Sequence, residues 1–444
     1  PYNRITRDWV YASSKGAGNA IAFGSQVDHG APGRMHLLPS LYPTLESKTA
    51  PLPRPRVIGA DRPEPYQPNH FVNISGMSFG ALSPNAVRAL SRGSRLAGIY
   101  MGTGEGSLSP HHLEGGGDIL YQIGPAKFGC RTPDGRFDDE KARRIMAEPQ
   151  VKMIEIKLAQ GAKPGQGGLL PKEKITAEIA AIRGIPVGID CQSPNGFDEC
   201  RDVESLFDFI GRVRGLTGKP VGIKMVVGSA DELGDLCAEM TMREYGPDFI
   251  VVDGAEGGTG AGPLSLADHV GTPVMDGLIA VDDALRRWGL RDKVAVIVSG
   301  KIATGGEAAL HLAMGADVIH IGRGFLLSIG CIQALRCHTN TCPAGITTQN
   351  RWLQSGLDPA NKGARVANYS LAIERDIVAL THACGLADPR ELSRRHVMMN
   401  VGPGVRTSMA DLAPRADDAT APGIVSTSFL ARQERERVAV GIGD

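Results

Sequence analysis

The stretch "VAVIVSGKIATGGEAALHLAMGADVIHIGRG", residues 294–324, decides the fold. Residues 294–300 and 317–322 are near-continuous apolar runs, the pattern of strands buried on both faces of a parallel sheet. Between them, "GGEAALHLAMGA" repeats its apolar positions at helical spacing. Strand, helix and strand in that order make one parallel β/α unit. Similar runs, bounded by glycine and polar residues, recur in "FVNISG" (71–76), "GIYMG" (98–102), "MIEIKLA" (153–159), "PVGIDCQ" (186–192), "PVGIKMVVG" (220–228) and "DFIVVDG" (248–254). Eight such runs predict an α/β fold closed into a (β/α)8 TIM barrel. A doubly wound sheet is the alternative, but it usually has fewer strands and a G-x-G-x-x-G turn after the first, where this chain has "SGMSFGALS".

Barrels of this kind take about 250 residues, so a chain of 444 carries flanking segments. The expected division is an N-terminal extended arm (1–65), the barrel (66–330), a cysteine-bearing loop (331–350) and a C-terminal extension (351–444). The arm is rich in Pro and Gly, and a disordered linker is its alternative; the extension has one or two helices around 364–384 and a Gly-, Pro- and charge-rich tail. Lys plus Arg (48) equals Asp plus Glu (48), so no global field favours nucleic acid or an anionic membrane, and the expected partners are small molecules or other proteins. The chain contains no apolar run of about 18 residues and no signal-peptide pattern. A cytoplasmic location is expected, with membrane association through a segment before Pro1 left open. Of eight cysteines, Cys130, Cys191, Cys200, Cys237 and Cys384 lack motif spacing and read as buried small hydrophobes.

Active sites in barrels lie where the strands end. The residues there are Met77 and Ser78 after the first run, Thr103 and Glu105 after the second, and Lys157, Gln160 and Lys163 around the third. Asp190 and Gln192 close the fourth, Lys224 lies in the fifth, and Gly257, Gly258 and Thr259 follow the sixth. Ser299, Gly300 and Lys301 after the seventh run and Gly322, Arg323 and Gly324 after the eighth each precede a helix, the usual phosphate position of this fold. Sugar phosphates, nucleotides and FMN all fit such a site. Lysines at 157 and 224, able to stabilise negative charge on a reduced flavin ring, and glycine loops that let backbone approach it favour FMN. His111 and His112 read as a solvated loop pair.

Directly after the eighth run stands "CIQALRCHTNTCPAG" (331–345), with five residues between Cys331 and Cys337 and four between Cys337 and Cys342. Three readings compete: a cuboidal iron-sulfur cluster, a zinc site completed by His338, and one nucleophilic cysteine. Zinc spacing is normally tighter, and a nucleophile needs one thiol. A 3Fe-4S cluster needs three and no fourth ligand.

The segments "ISGMSFGALSP", "TGEGS", "EIKLAQGAKPGQGGLLP", "DGAEGGTGAGPLS", "SGKIATGG" and "GCIQALRCHTNTCPAGITTQN", in that order over residues 70–350, resemble the FMN and 3Fe-4S domain of glutamate synthase, in its short free-standing form. The resemblance implies an FMN-binding barrel, a 3Fe-4S cluster on Cys331, Cys337 and Cys342, and reduction of an imine formed from 2-oxoglutarate and ammonia. Electrons are expected from a ferredoxin or a partner flavoprotein, since no nicotinamide fingerprint is present. Lys157, Lys224, Gln160, Lys163 and Glu105 are the implied catalytic set. Two departures bear on the substrate: Asn85 stands where the family usually has an acidic residue, and Ser107 and Ser109 replace an acidic segment. The chain is too short for the family's amidotransferase domain and β-helix, so an amidotransferase-like subunit or free ammonia is the expected nitrogen source. Assembly into a homo-oligomer is left open.

Overall fold

A barrel strand is sandwiched between barrel interior and outer helices, so both of its faces must be apolar. The computed structural model, which describes residues 1–17, 24–46 and 51–415, contains eight such strands. They are β1 (Val72–Ile74), β2 (Met101–Gly102), β3 (Ile119–Ile123), β4 (Val151–Lys157), β5 (Val221–Met225), β6 (Phe249–Asp253), β7 (Ala295–Ser299) and β8 (Val318–Ile321). All pair in parallel with their sequence neighbours, and β8 closes on β1 through Ile319 opposite Val72. The TIM barrel expected from the sequence is therefore present.

The structure departs from the expectation at one of the eight runs. "PVGIDCQ" is not a barrel strand: Val187 and Ile189 are 58% and 61% exposed, and only Cys191–Gln192 is extended, in an antiparallel ribbon with Leu169–Leu170. Asp190 accordingly does not close a strand; its carboxylate accepts the Lys172 N–H at 2.8 Å. The missing strand is β3, "ILYQI", whose five residues are all buried.

Alternation along the strands produces two apolar layers. Leu120, Met153, Phe249, Val251, Ala295, Ile297 and Val318 fill the barrel interior with Tyr100, Ile58 and Tyr66. Ile58 and Tyr66 bond to each other's backbone and close the end opposite the strand C-termini. The intervening strand residues, such as Ile154, Ile250, Val298 and Ile319, face the outer helices.

Those helices include α1 (Arg4–Ser14), α2 (Pro84–Ala97), α3 (Asp139–Met146), α4 (Val203–Arg214), α5 (Ala230–Arg243), α6 (Val274–Arg287), α7 (Gly305–Met314), α8 (Arg323–Ser328) and α9 (Pro359–Ala383). Helix α2 starts on a Ser83 cap with Pro84 in its first turn and ends at Gly98 with φ 71°. It packs closely on α9: a Cβ on Gly93 would lie 2.3 Å from Val366 Cβ. On α9 the buried Glu374 carboxylate accepts the N–H of Val72 at 2.7 Å, and burial pushes its pKa up to about 8.

Residues 1–65 are not simply an extended arm. Helix α1 packs against α8 and α9, and Met35–Leu37 pairs antiparallel with Val397–Gly402, whose other neighbour is Val405–Ser408. The helix expected near 364–384 is α9. The charge-rich tail beyond 415, and 18–23 and 47–50 of the arm, lie outside the described residues. No helix among the described residues is long and apolar enough to cross a membrane.

Candidate active site

Glu105 follows β2 and sits where three other loops meet. Lys157, the last residue of β4, brings Nζ to 3.5 Å from its Oε2. Burial pushes the Glu105 carboxyl up, but Lys157, then Arg183 and Lys163, outweigh it and hold the group below the usual carboxylate range. The fit is tight: a Cβ on Gly168 would lie 2.0 Å from Glu105 Oε1, and one on Gly124 2.7 Å from its Cβ. Glycine at 168 and 124 is what lets the carboxylate in.

Each cation is fixed by a second contact. Lys157 Nζ donates to Gln160 Oε1 at 3.0 Å, and Gln160 Nε2 donates to the Gly258 carbonyl at 3.1 Å, tying the β4 and β6 loops together. Lys163 Nζ donates to the Gly167 carbonyl at 2.8 Å, and burial pulls its pKa down against the opposing effect of Glu105. Arg183, last residue of the helix Ala177–Arg183, donates to the Phe79 carbonyl at 2.9 Å and lies 5.0 Å from the Phe128 ring centroid. Nothing in the sequence marks it out, since a basic residue in a last helical turn is ordinary.

Lys224 stands beside Lys157 on the adjacent strand, in the barrel mouth. Its Nζ is 3.4 Å from Asp253 Oδ2, and although burial lowers its pKa, Asp253 and Glu155 raise it further. Glu155 is bonded in turn to Gln122. Lys224 is thus neutralised by the protein itself. Thr103 is also engaged: Oγ1 accepts the Gln122 N–H at 3.0 Å and donates to the Gly104 carbonyl at 2.9 Å.

The two expected phosphate loops differ. At the β7 loop, Lys301 is exposed and adopts φ 56°, but the first free N–H groups before α7, those of Ala303 and Thr304, are taken by Glu307 at 2.8 and 3.1 Å. The turn into α8 has no side-chain cap. Arg323 donates to the Glu256 carbonyl at 2.5 Å, and a Cβ on Gly258 would lie 2.6 Å from its Nε, so Gly257, Gly258 and Thr259 share one wall with it. Met77 flanks the opposite side: its Sδ is 3.9 Å from where a Gly322 Cβ would be. Ser78 lies beside it, its N–H packed against Gly104.

Cys331, Cys337 and Cys342 lie just beyond α8. Gln333 N–H points at Cys331 Sγ at 3.5 Å. Burial raises the Cys342 pKa, but the Thr347 hydroxyl and the N–H groups of Thr347, Ile346 and Ala344 outweigh it and hold the thiol below its usual value. Burial raises Cys331, and Cys337 and Cys342 raise it further, so the three sulfurs sense one another. No group of three or more His, Cys, Asp or Glu side chains among the described residues stands at metal-holding spacing. The donor chemistry nevertheless suits an anionic iron-sulfur group, because N–H donors aimed at sulfur favour thiolate. Lys174, 2% exposed and without a carboxylate partner among the described residues, adds to that fit; burial pulls its ammonium down to about 8 while Cys337 and Cys342 oppose. The N-terminal segment buttresses the same loop. Tyr11 donates to the Cys331 carbonyl at 2.7 Å, Tyr2 and Gln333 exchange bonds of 2.7 and 2.9 Å, and Arg323 lies 5.4 Å from the Tyr2 ring centroid.

The residues that departed from the expected pattern are structural here. Asn85 donates to the carbonyls of Gln354 and Leu357, both at 3.2 Å, which a carboxylate could not do. Ser107 and Ser109 are buried, and Ser109 Oγ bonds His112 Nδ1 at 2.7 Å. His111 and His112 are likewise buried rather than solvated. His111 Nε2 meets Glu178 at 2.9 Å, and burial, aided by His111, pulls His112 down to about 3.

A closed parallel barrel with a cationic, loop-built mouth defines this chain as a TIM-barrel protein. It is similar in fold to an (S)-mandelate dehydrogenase mutant, with TM-score 0.54 at 14% identity over 89% of this chain and 99% of that one. A flavocytochrome b2 mutant gives 0.50 at 13% over 97% and 84%. The pattern of the conserved region in glutamate synthase matches residues 46–387, and the chain belongs to the glutamate synthase family. It is 44% identical over 345 residues to a glutamate synthase large subunit-like protein of Bacillus subtilis, covering 77% of this chain and 66% of that one. An archaeal NADPH glutamate synthase of Methanocaldococcus jannaschii is 36% identical over 318 residues, 71% of this chain and 59% of that one. The chain therefore spans about two thirds or less of these relatives.

Proposed function

We propose that this chain is a flavin-dependent oxidoreductase of the glutamate synthase type, with FMN at the barrel mouth and a 3Fe-4S cluster on Cys331, Cys337 and Cys342. The observation that carries the reading is the cage in which Lys157, Lys163 and Arg183 surround the single carboxylate of Glu105. Three cations against one anion leave a surplus of positive charge, suited to a substrate bearing carboxylates. When bound, FMN would supply hydride chemistry and the cluster single electrons.

The chain's own residues divide the remaining work. Lys301 and Arg323, with the backbone of 299–300 and 322–324, would neutralise the FMN phosphate, while Met77, Ser78, Thr103 and 257–259 frame the ring. Lys224, charge-matched by Asp253, would offer the ring a cation without adding net charge. Lys157, Lys163 and Arg183, assisted by Gln160, bind and orient the substrate carboxylates. Glu105, kept ionised by its neighbours, can accept a proton at a carboxylate oxygen. The reaction proposed is condensation of 2-oxoglutarate and ammonia to an imine, which takes up two electrons and two protons to give glutamate.

A ferredoxin or flavoprotein is the proposed electron donor, and since a relative's name includes NADPH, that donor belongs in the same test. The purified chain is reduced anaerobically, 2-oxoglutarate and ammonium are added, and the visible spectrum and glutamate are followed. Reoxidation with stoichiometric glutamate supports the reading. Normal reduction with no response to these substrates refutes the stand-alone reaction and favours a barrel subunit that makes an N-substituted glutamate, or only transfers electrons, with an amidotransferase-like partner.

A further inference from the structure

Lys174 stands in the turn Lys172–Lys174, between the ribbon strand Leu169–Leu170 and the helix that carries Arg183. It is among the largest fully buried side chains of the molecule. A buried ammonium costs several kcal/mol unless something compensates its charge. Here Nζ donates to two carbonyls on different loops, Ala81 at 2.9 Å and Cys337 at 3.0 Å. Ala81 belongs to the loop that begins at Met77 and Ser78, and Cys337 is the middle thiol of the cysteine loop.

Neighbouring bonds show that the cysteine loop is seated on these same two segments. Asn340 Nδ2 donates to the Glu173 carbonyl at 2.9 Å, and Gln349 Nε2 donates to the carbonyls of Gly80 at 3.0 Å and Leu82 at 2.9 Å. The two carbonyl dipoles engage two of the three Lys174 N–H groups but leave its unit charge unmatched. Three thiolates and an iron-sulfur group at Cys331, Cys337 and Cys342 would supply the missing negative charge.

We propose that Lys174 is a positioning residue for the cysteine loop, fastening Cys337 to the loop after β1 and supplying the positive charge that a cluster on the three thiolates requires. The proposal rests on the cluster reading above. Net charge and hydrogen bonding around the sulfurs set the reduction potential of such groups. A fixed cation favours the reduced, more negative form, so removing it lowers the midpoint.

The test uses the full chain purified with its cofactors and titrated with dithionite. Iron per chain and the midpoint potential, followed by electron paramagnetic resonance, are compared for wild type, Lys174→Met, Lys174→Gln and Lys174→Arg. Lys174→Met is expected to lose several-fold in iron retention or to show a lower midpoint, and Lys174→Arg to stay close to wild type. Lys174→Gln keeps a donor for the carbonyls without the charge; it should hold iron yet show the lowered midpoint, and it carries the test if Lys174→Met does not fold. A folded Lys174→Met or Lys174→Gln with wild-type iron and midpoint overturns the proposal alone. A wild-type chain that takes up no iron overturns the cluster reading and the proposal with it.

Discussion

Replacing Glu374 by glutamine removes one titration and very little structure, because the glutamine carbonyl can still accept the Val72 N–H that the carboxylate accepts at 2.7 Å. The group's ordinary pKa is 4.5; burial raises it in the folded chain to about 8, with the Val72 and Phe71 N–H groups opposing. A raised folded-state pKa contributes stability that is fully present below about 4.5 and is lost as pH rises through about 8. Between those limits the unfolded chain releases the proton while the folded chain keeps it. The wild type should therefore lose roughly 1.4 kcal/mol per pH unit from this group, about 5 kcal/mol over the whole window. Urea denaturation of wild type and Glu374→Gln at pH 5, 6, 7, 8 and 9 measures the difference between them. The variant should gain on the wild type steadily across that series and level off near pH 9. A stability difference independent of pH would refute the reasoning, because Glu374 would then have the same pKa folded and unfolded.

Three further outcomes are expected. Gly168→Ala puts a methyl 2.0 Å from Glu105 Oε1, so it should lower turnover about tenfold or more, equivalent to about 1.4 kcal/mol; unchanged turnover would remove Glu105 from the site. Arg323→Gln should weaken FMN binding roughly tenfold or more, as loss of one charge-assisted contact implies, measured by quenching of flavin fluorescence. Cys337→Ser should abolish the cluster's visible absorbance while flavin remains bound, and retention of that absorbance would cancel the ligand assignment.

The barrel was legible because seven of its strands are apolar runs bounded by glycine. The eighth, β3, escaped because Tyr121 and Gln122 interrupt its pattern, and Gln122 is tolerated inside only through its bond to Glu155 on the next strand. "PVGIDCQ" imitates a strand for the opposite reason. Its β-favouring residues are strung over an exposed connection in which Gly188 adopts φ 84°. Glu105, Lys157, Gln160 and Lys163 are legible as candidates because they stand at strand ends, and the structure brings them together. Arg183 and Lys174 are not legible in that way, since each lies on a connecting turn or short helix and is brought inward by tertiary packing. The sequence also hid that Lys224 has its own counter-charge in Asp253, which lies on the adjacent strand.

The N-terminal helix alters what counts as one unit of this protein. The shared family pattern begins at residue 46, yet Tyr11 holds the Cys331 carbonyl, Tyr2 exchanges bonds with the Gln333 side chain, and the Tyr2 ring lies against Arg323. A chimera spliced at the start of the shared region would inherit the barrel without this brace. Barrel exchange between relatives should therefore carry residues 1–17 along with 323–337, treating these two segments as a single exchangeable part.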